Sequence, residues 1–589
     1  MIQIKKRENK LDNLTIEKLA KKHKTTKEIV ELLINRGYCQ EELELYIQND
    51  GFYVGEHNSI TNVDEAAETI VSYLEDDKAH IYIFADYDAD GVNAGYIMTD
   101  ALISVKESIG SKCGIDVYYP NRNEGYGLSM AFCKAIAPRK TKKRILVMTV
   151  DNGITKKEEV EYLKSKGVEV IITDHHAPKE GETPECLVVD PWLNDLHDIN
   201  AKGLCGAAVA YKVAGRVLEL YEDETNFMLN YLPNVAIATI TDMMPATPEN
   251  IGIVGYGLWL IENGYANEAI NHYMSYKNLK ELSVKDIAFE IGPQINACGR
   301  MGNIHKATSF MFGNGDIEEI YNEMIQLNDE RKALEKEIME DIMKEKDKYD
   351  NDLMVIINVP NLGGLGGTVA SKVVEMFGKP CILLTGNGDM LHGSARTYGG
   401  LDLHALFTYE VELGNLNNFG GHKVAAGVSV KRDKVEALRE SINATLAQLY
   451  IEAQNNQEGE IEEDTIIEVD EIISLAEIKK QTIQPYDGLL CFGDLKEPVF
   501  ALTDIEVLEA RTSSNNPNHL CLNLQDDTCI ATENRYGKKV GKEIWVWNKM
   551  PDYKRLGEPK KVHLLGKIIP DFRNPRFYTF DVINIIPAC

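Results

Sequence analysis

Four short hydrophobic runs, each stopping at an acidic residue, constrain this chain more than any other feature. The first lies in HIYIFADYDADG, His80 to Gly91. Ile81, Tyr82, Ile83 and Phe84 have the β-branched and aromatic character of a buried strand, and the run ends at Asp86, Asp88 and Asp90. The second, Arg144 to Val150, ends at Asp151, Asn152 and Gly153; the third, Val168 to Thr173, ends at Asp174, His175 and His176. The fourth, Leu187 to Val189, ends at Asp190 and Pro191. One acidic turn is ordinary, because surface turns are rich in Asp. Four in succession read as a site. Between the runs lie Val92 to Ser108, Leu128 to Ala137 and Lys156 to Lys166, which can form helices. Alternating strands and helices give a parallel sheet, and such sheets gather ligands at the carboxyl ends of their strands. Acids spaced two apart repel one another unless something positive sits among them, so the pattern predicts bound cations, with Gly91 letting the backbone bend around them.

In that order and at helix-length spacings, DYDADG, VDNG and TDHHAP resemble the first three motifs of the DHH phosphoesterase superfamily. Within it, the chain from about residue 25 to near its C-terminus resembles the RecJ single-strand-specific exonucleases. The fold this implies is α/β: a parallel-sheet DHH domain, a smaller α/β DHH-associated domain joined to it by a long helix, and a C-terminal OB-like β-barrel. The expected segments are a helical lead-in over 1–60, the DHH domain over 61–312, the connecting helix over 313–350, the DHH-associated domain over 351–452 and the barrel over 453–589. The lead-in is expected to pack on the domain after it.

The resemblance also implies a ligand set. Asp88, Asp90, Asp151, His175 and Asp242 would hold two divalent cations, with Asp151 bridging, while Asp86 and Asp174 sit nearby or steady the ligands. His176 would steady the scissile phosphate or protonate the leaving oxygen. Asp242 lies in NVAIATITDMMPA; read alone, an Asp inside an apolar run is a buried, hydrogen-bonded acid or a metal ligand. Asp190 is expected to be structural. Oxygen-rich ligands with one imidazole suit Mg²⁺ or Mn²⁺, and paired ions of this kind usually stand about 3.5 to 4 Å apart.

Further motifs bear on the substrate. In YYPNRNEGYGLS, Tyr118 to Ser129, Arg122 can take a phosphate bidentately and Tyr126 can stack on a base, the alternative being a solvated loop. IGPQINACGRMG supplies Arg300, with Gln294 where the family pattern has a basic residue. NLGGLGGTVASKVVEMF reads as a glycine loop entering a helix, whose amides favour an anion; Leu362 stands near where many RecJ proteins have a histidine. GSAR and FGGHKVAAG resemble the DHH-associated domain, which implies substrate contacts from Ser394, Arg396, Gly421 and His422. From Ile317 to about Lys348 apolar residues recur at helical spacing, and the acidic stretch Asn456 to Glu468 reads as a linker or strand entry. Near the C-terminus Trp545, Trp547, Phe572, Arg573, Arg576, Phe577 and Tyr578 mix aromatics with arginines, as single-strand platforms and barrel cores both do.

Composition sets outer limits. At 589 residues the chain needs several domains, and 44% apolar with 26% charged residues suits a soluble protein. The eleven cysteines form no CxxC pair, which favours reduced thiols in a cytoplasm over disulfides or a zinc site. No run reaches the length of a spanning helix, so no membrane is expected. A net charge of −29 disfavours broad nucleic-acid binding but allows a contained basic channel with metal ions.

The expected function is therefore a metal-dependent exonuclease taking single-stranded DNA 5′→3′ to mononucleotides in repair or recombination. It would act as a cytoplasmic monomer, with a helicase or single-strand-binding protein as partner. Two alternatives stay open: a DHH phosphodiesterase of short oligoribonucleotides, cyclic dinucleotides or polyphosphate, and an inactive single-strand-binding replication scaffold. The length and extra barrel count against the first, and the filled ligand positions against the second.

Overall fold

A computed structural model describes residues 2–8, 11–47, 51–137, 144–178, 181–194, 203–221, 227–457, 465–514, 516–536 and 538–588. Within the acidic stretch 456–468, residues 458–464 lie outside the described residues. The chain divides into two compact units, one of residues 55–244 and 253–460 and one of 1–54, 245–252 and 461–589.

The larger unit contains the predicted parallel sheet. Its strand order is Gly114–Tyr118, His80–Ala85, Ile145–Val150, Glu169–Thr173, Leu187–Val189, and every pairing is parallel. Ile145–Val150 is buried throughout, as expected of a parallel strand covered on both faces. Register decides where the acids go. Ala85 pairs with Val150, Val150 with Thr173 and Thr173 with Val189, so the next residues, Asp86, Asp151, Asp174 and Asp190, stand in one row along the carboxyl edge. Neighbours in such a row are about 4.8 Å apart along the backbone, too close for four unpaired carboxylates.

Two small-residue helices, Ala89–Ser108 and Gly206–Leu220, pack together against this sheet. A 28-residue helix, Ile317–Lys344, then leads to a second sheet ordered Asn418–Gly421, Ala425–Lys431, Met390–Arg396, Cys381–Thr385, Val355–Asn358. Glu335 on the long helix is 1% exposed and fastens it to the helix Gly366–Phe377, accepting from Thr368 at 2.7 Å and Lys372 at 2.5 Å, and from Arg331 at 2.6 Å.

The smaller unit is built on an antiparallel barrel ordered Lys542–Val546, Leu520–Gln525, Phe500–Thr512, Lys561–Asp571, Asn574–Pro587, whose outer strands also approach each other. Phe500, Leu522, Ile544, Leu564 and Phe580 fill it. The lead-in departs from expectation in two ways. It opens with a strand, Ile2–Lys6, whose alternating Ile2 and Ile4 carry a period of two, and that strand pairs in parallel with Thr465–Val469. It therefore joins the barrel unit rather than the domain next in the chain. Asp470, 6% exposed, holds this junction: it accepts from Arg36 at 2.7 and 3.1 Å, Arg7 at 3.2 Å and the Val499 amide at 2.8 Å. Asp470→Ala is expected to destabilise the unit by about 2 to 3 kcal/mol, because the partly buried guanidinium of Arg36 and the Val499 amide lose their acceptor. A urea midpoint lowered in proportion checks this.

Candidate active site

The ends of three strands, His80–Ala85, Ile145–Val150 and Glu169–Thr173, contribute to one acidic cluster. Asp88 caps the helix Ala89–Ser108, accepting from the Gly91 amide at 3.1 Å, and Asp90 sits in its first turn. Asp90 is then gripped by a second helix start, since the Gly206 and Ala207 amides each donate to it at 2.7 Å. Gly206 has no room for a side chain: a Cβ there would lie 2.4 Å from Asp151 Oδ1. Asp151 itself has φ 62°, a left-handed conformation that Asp and Asn tolerate better than most residues. Asp242 ends the helix Phe227–Thr241, where the helix dipole opposes a negative charge.

His175 Nε2 lies 3.2 Å from Asp151 Oδ1, 3.6 Å from Asp90 Oδ2 and 3.7 Å from Asp242 Oδ2. Donor atoms of Asp90, His175 and Asp242 lie within 4.8 Å of one another; so do those of Asp86, Asp88 and Asp151, and those of Asp151, His175 and His176. Asp151 and His175 thus belong to two groupings each. Asp86, expected beside the ligands, lies close to two of them, Asp88 and Asp151.

The electrostatics are those of a site wanting cations. Burial, reinforced by neighbouring acids, raises the carboxyls of Asp86 and Asp151 well above the usual range and that of Asp242 to about 8. Burial also raises Asp90, outweighing the Ala207 and Gly206 amides that donate to it. Burial lowers His175, leaving the neutral imidazole that coordination requires. Asp86 Oδ1 and Asp151 Oδ1 are buried without a hydrogen-bond partner. Hard oxygen donors, orphaned carboxylate atoms and one imidazole fit divalent Mg²⁺ or Mn²⁺.

His176 behaves differently. Burial pulls its pKa down, but the hydrogen bond and charge of Asp174 outweigh burial and bring it to about 9. Asp174 Oδ1 accepts from His176 Nδ1 at 2.8 Å and from the His175 and His176 amides at 2.8 and 3.2 Å. Its other oxygen takes the Ile154 amide at 2.9 Å. Burial works against the Asp174 anion, yet these donors hold its carboxyl below the usual range. The Tyr126 hydroxyl lies 3.1 Å from His176 Nδ1, so that end of the side chain reaches the histidine while the ring stays 40% exposed.

Sequence reasoning missed several supports. Asn152 donates to Phe84 O and Val150 O at 3.1 and 2.9 Å and accepts from the Leu128 amide at 3.1 Å. Asn296, in QINACGR, accepts from Ala89 N at 2.9 Å, and Trp192 Nε1 donates to His175 O at 3.0 Å. Only the position of Asn296 between Gln294 and Arg300 signalled its role. Asp190 accepts from the Trp192 amide at 2.9 Å, burial raises its carboxyl to about 8, and its Oδ2 is buried without a hydrogen-bond partner.

The glycine loop collects the predicted phosphate contacts. A Cβ at Gly364 would meet Arg300 O at 2.5 Å and Arg122 Cδ at 3.0 Å; at Gly366, Ser394 Oγ at 2.8 Å; at Gly367, Arg396 Nη2 at 2.8 Å. Burial, with Arg122 and Arg331 nearby, lowers Arg300 to about 10, and burial likewise lowers Arg396. Gln294 turns into the buried interior and Leu362 into the core beside Val359 and Leu365, so neither departure reaches this loop as a charge. His422 comes just after the strand carrying Gly421; its amide donates to Ala425 O at 2.8 Å, and Ala425 pairs in turn with Arg396.

In the barrel unit, Trp547 packs edge-on to His519 at 4.9 Å and to Phe572 at 5.3 Å and stacks with Trp545 at 6.4 Å. Phe572 and Phe577 are 62% and 66% exposed, so aromatic surface remains available there.

Residues 80–239 match the DHH family, N-terminal domain, and residues 363–448 the DHHA1 domain. The single-stranded-DNA-specific exonuclease RecJ of Bacillus subtilis is 28% identical over 531 residues, covering 88% of this chain and 64% of its own length. That of Haemophilus influenzae is 26% identical over 494 residues, covering 80% and 82%. The crystal structure of RecJ in complex with Mn²⁺ from Thermus thermophilus shares the fold at TM-score 0.75 and 22% identity, over 100% of this chain and 80% of that one.

Proposed function

We propose that this chain, a RecJ-like member of the DHH phosphoesterase family, is a metal-dependent exonuclease that shortens single-stranded DNA from its 5′ end to mononucleotides. The observation that carries the proposal is the cluster of Asp86, Asp88, Asp90, Asp151, His175 and Asp242, in which Asp86, Asp90, Asp151 and Asp242 have raised carboxyl pKa values and Asp86 Oδ1 and Asp151 Oδ1 lack hydrogen-bond partners. In this reading Asp88, Asp90, Asp151, His175 and Asp242 hold two divalent cations, Mn²⁺ or Mg²⁺, with Asp151 shared and Asp86 beside it. Ions bound there would supply an activated water and neutralise charge on the attacking and leaving oxygens.

The chain's own groups do the rest. The His176 imidazolium, kept charged by Asp174, donates to the scissile phosphate or to the oxygen that leaves as the P–O bond breaks. Tyr126 orients that ring through its hydroxyl. Arg122, Arg300, Ser394 and Arg396, with the amides opening the Gly366–Phe377 helix, take backbone phosphates; Gly421 and His422 border the strand further along. The barrel offers a second grip. Residues 501–589 hold 13 Lys and Arg against 11 Asp and Glu in a chain of net charge −29, so its surface repels a polyanion far less than the whole does.

Among the described residues no helix is long and apolar enough to cross a membrane. A cytoplasmic monomer acting in repair or recombination behind a helicase, or with a single-strand-binding protein, suits this substrate. The test is an oligonucleotide labelled at either end, with duplex and short RNA controls and with Mn²⁺ or EDTA. Mononucleotides released first from the 5′ end of single-stranded DNA, and nothing in EDTA, are expected. Binding without cleavage under any metal would overturn the proposal in favour of a scaffold, and preference for short RNA in favour of an oligoribonuclease.

A further inference from the structure

The helix Phe227–Thr241 closes on a Schellman cap: the Met244 amide donates to Thr239 O at 3.1 Å and the Met243 amide to Ile240 O at 3.2 Å. The residue after the capping Asp242 must then be left-handed, and Met243 is, with φ 55°. Glycine usually fills this position because a Cβ is crowded there, as Gly378 does after Gly366–Phe377 with φ 62°. Among the described residues the other non-glycine positions with positive φ are Lys24, Asn62, Asp151, Asn278, Asn361, Asp504, Asn548 and Glu558, all polar; Met243 is the apolar exception.

Burial does not explain it, because Met243 is 74% exposed. In the free protein the side chain therefore brings backbone strain without apolar shelter. Its place is informative: the preceding residue, Asp242, has Oδ2 3.7 Å from His175 Nε2, so this exposed residue follows directly on a member of the acidic cluster. Strained non-glycine residues cluster at ligand-binding sites, and an exposed apolar side chain gains shelter there when a ligand covers it.

We propose that Met243 packs against the nucleobase of the nucleotide whose phosphate is being cleaved. This rests on the nuclease reading above and adds a contact to it. The carboxylates and arginines address phosphate and bound cations, whereas a flexible, polarisable thioether suits the flat aromatic face of a base and accepts all four. Met243 would thus be a substrate-binding residue that grips bases without reading sequence.

Met243→Gly separates a structural role from this one, since it removes the side chain and relieves the left-handed backbone together. Its Tm is expected to rise by about 1–2 °C. With Mn²⁺ and an ordinary single-stranded oligonucleotide its KM is expected to rise about three- to ten-fold. Met243→Leu, which keeps an apolar side chain, should stay within about two-fold of the native protein. On an oligonucleotide whose two 5′-terminal nucleotides are abasic, native protein and Met243→Gly should have equal KM. Equal KM on the ordinary oligonucleotide, or the same loss on the abasic one, would overturn the contact while leaving the nuclease reading intact. Native protein that cuts neither oligonucleotide would remove the nuclease reading, and this inference with it.

Discussion

Asp151→Asn is expected to lower hydrolysis of single-stranded DNA by about 10³-fold or more, because removing the shared ligand disturbs both groupings of donors. Asn is the informative replacement. It accepts the left-handed backbone at Asp151, whereas Ala would add strain of about 1 kcal/mol and confuse lost chemistry with lost stability. The same variant should be more stable than the native protein in EDTA. Asp86, Asp90, Asp151 and Asp242 all have raised pKa values in the fold, while in the unfolded chain they titrate near about 4. Between about pH 4 and the folded value of about 8 at Asp242, the folded protein keeps protons that the unfolded chain has released. Their stabilising contribution is therefore complete below about pH 4 and is lost as pH rises through the folded values. Removing one acid should flatten that decline. Thermal unfolding in EDTA from pH 5 to 8.5 would show the curves of the two proteins diverging as pH rises.

His176→Ala should reduce kcat by about 10²- to 10⁴-fold near neutral pH, the usual yield of a positioned general acid. The diagnostic companion is Asp174→Asn. It leaves the imidazole in place but removes the largest influence opposing burial, so the histidine falls from about 9 toward its ordinary value, with Asp242 and Asp86 still raising it. If the protonated ring is the active form, the alkaline limb of the kcat profile should move down by about one pH unit or more. A profile that loses height at every pH without moving would make Asp174 a support for the His175–His176 turn and nothing more.

Much of this was legible in the chain because parallel strands buried on both faces read as unbroken apolar runs, and the residues immediately after those runs fall on the same edge of the sheet. Asp86, Asp151, Asp174 and Asp190 could be grouped on that basis alone. The grip on Asp90 could not, because it comes from backbone amides at Gly206 and Ala207, 116 and 117 residues away, and amides leave no mark in a sequence. The N-terminal strand was hidden by its brevity and lysines, and its partner lies more than 450 residues further on. Met243 was hidden for the opposite reason: nothing in TDMMP announces a turn that glycine would ordinarily make. Tyr126 was expected beside the substrate, and its reach to His176 depends on a loop geometry that residue types do not encode.

The most direct measurement is a Mn²⁺ titration of the metal-free native protein and of Asp151→Asn, monitored by calorimetry and by the electron paramagnetic resonance of free Mn²⁺. Two ions per native chain, with markedly weaker or fewer ions in the variant, is the predicted result. No binding by the native protein, or the same affinity and number in both, would contradict an active site organised around Asp151.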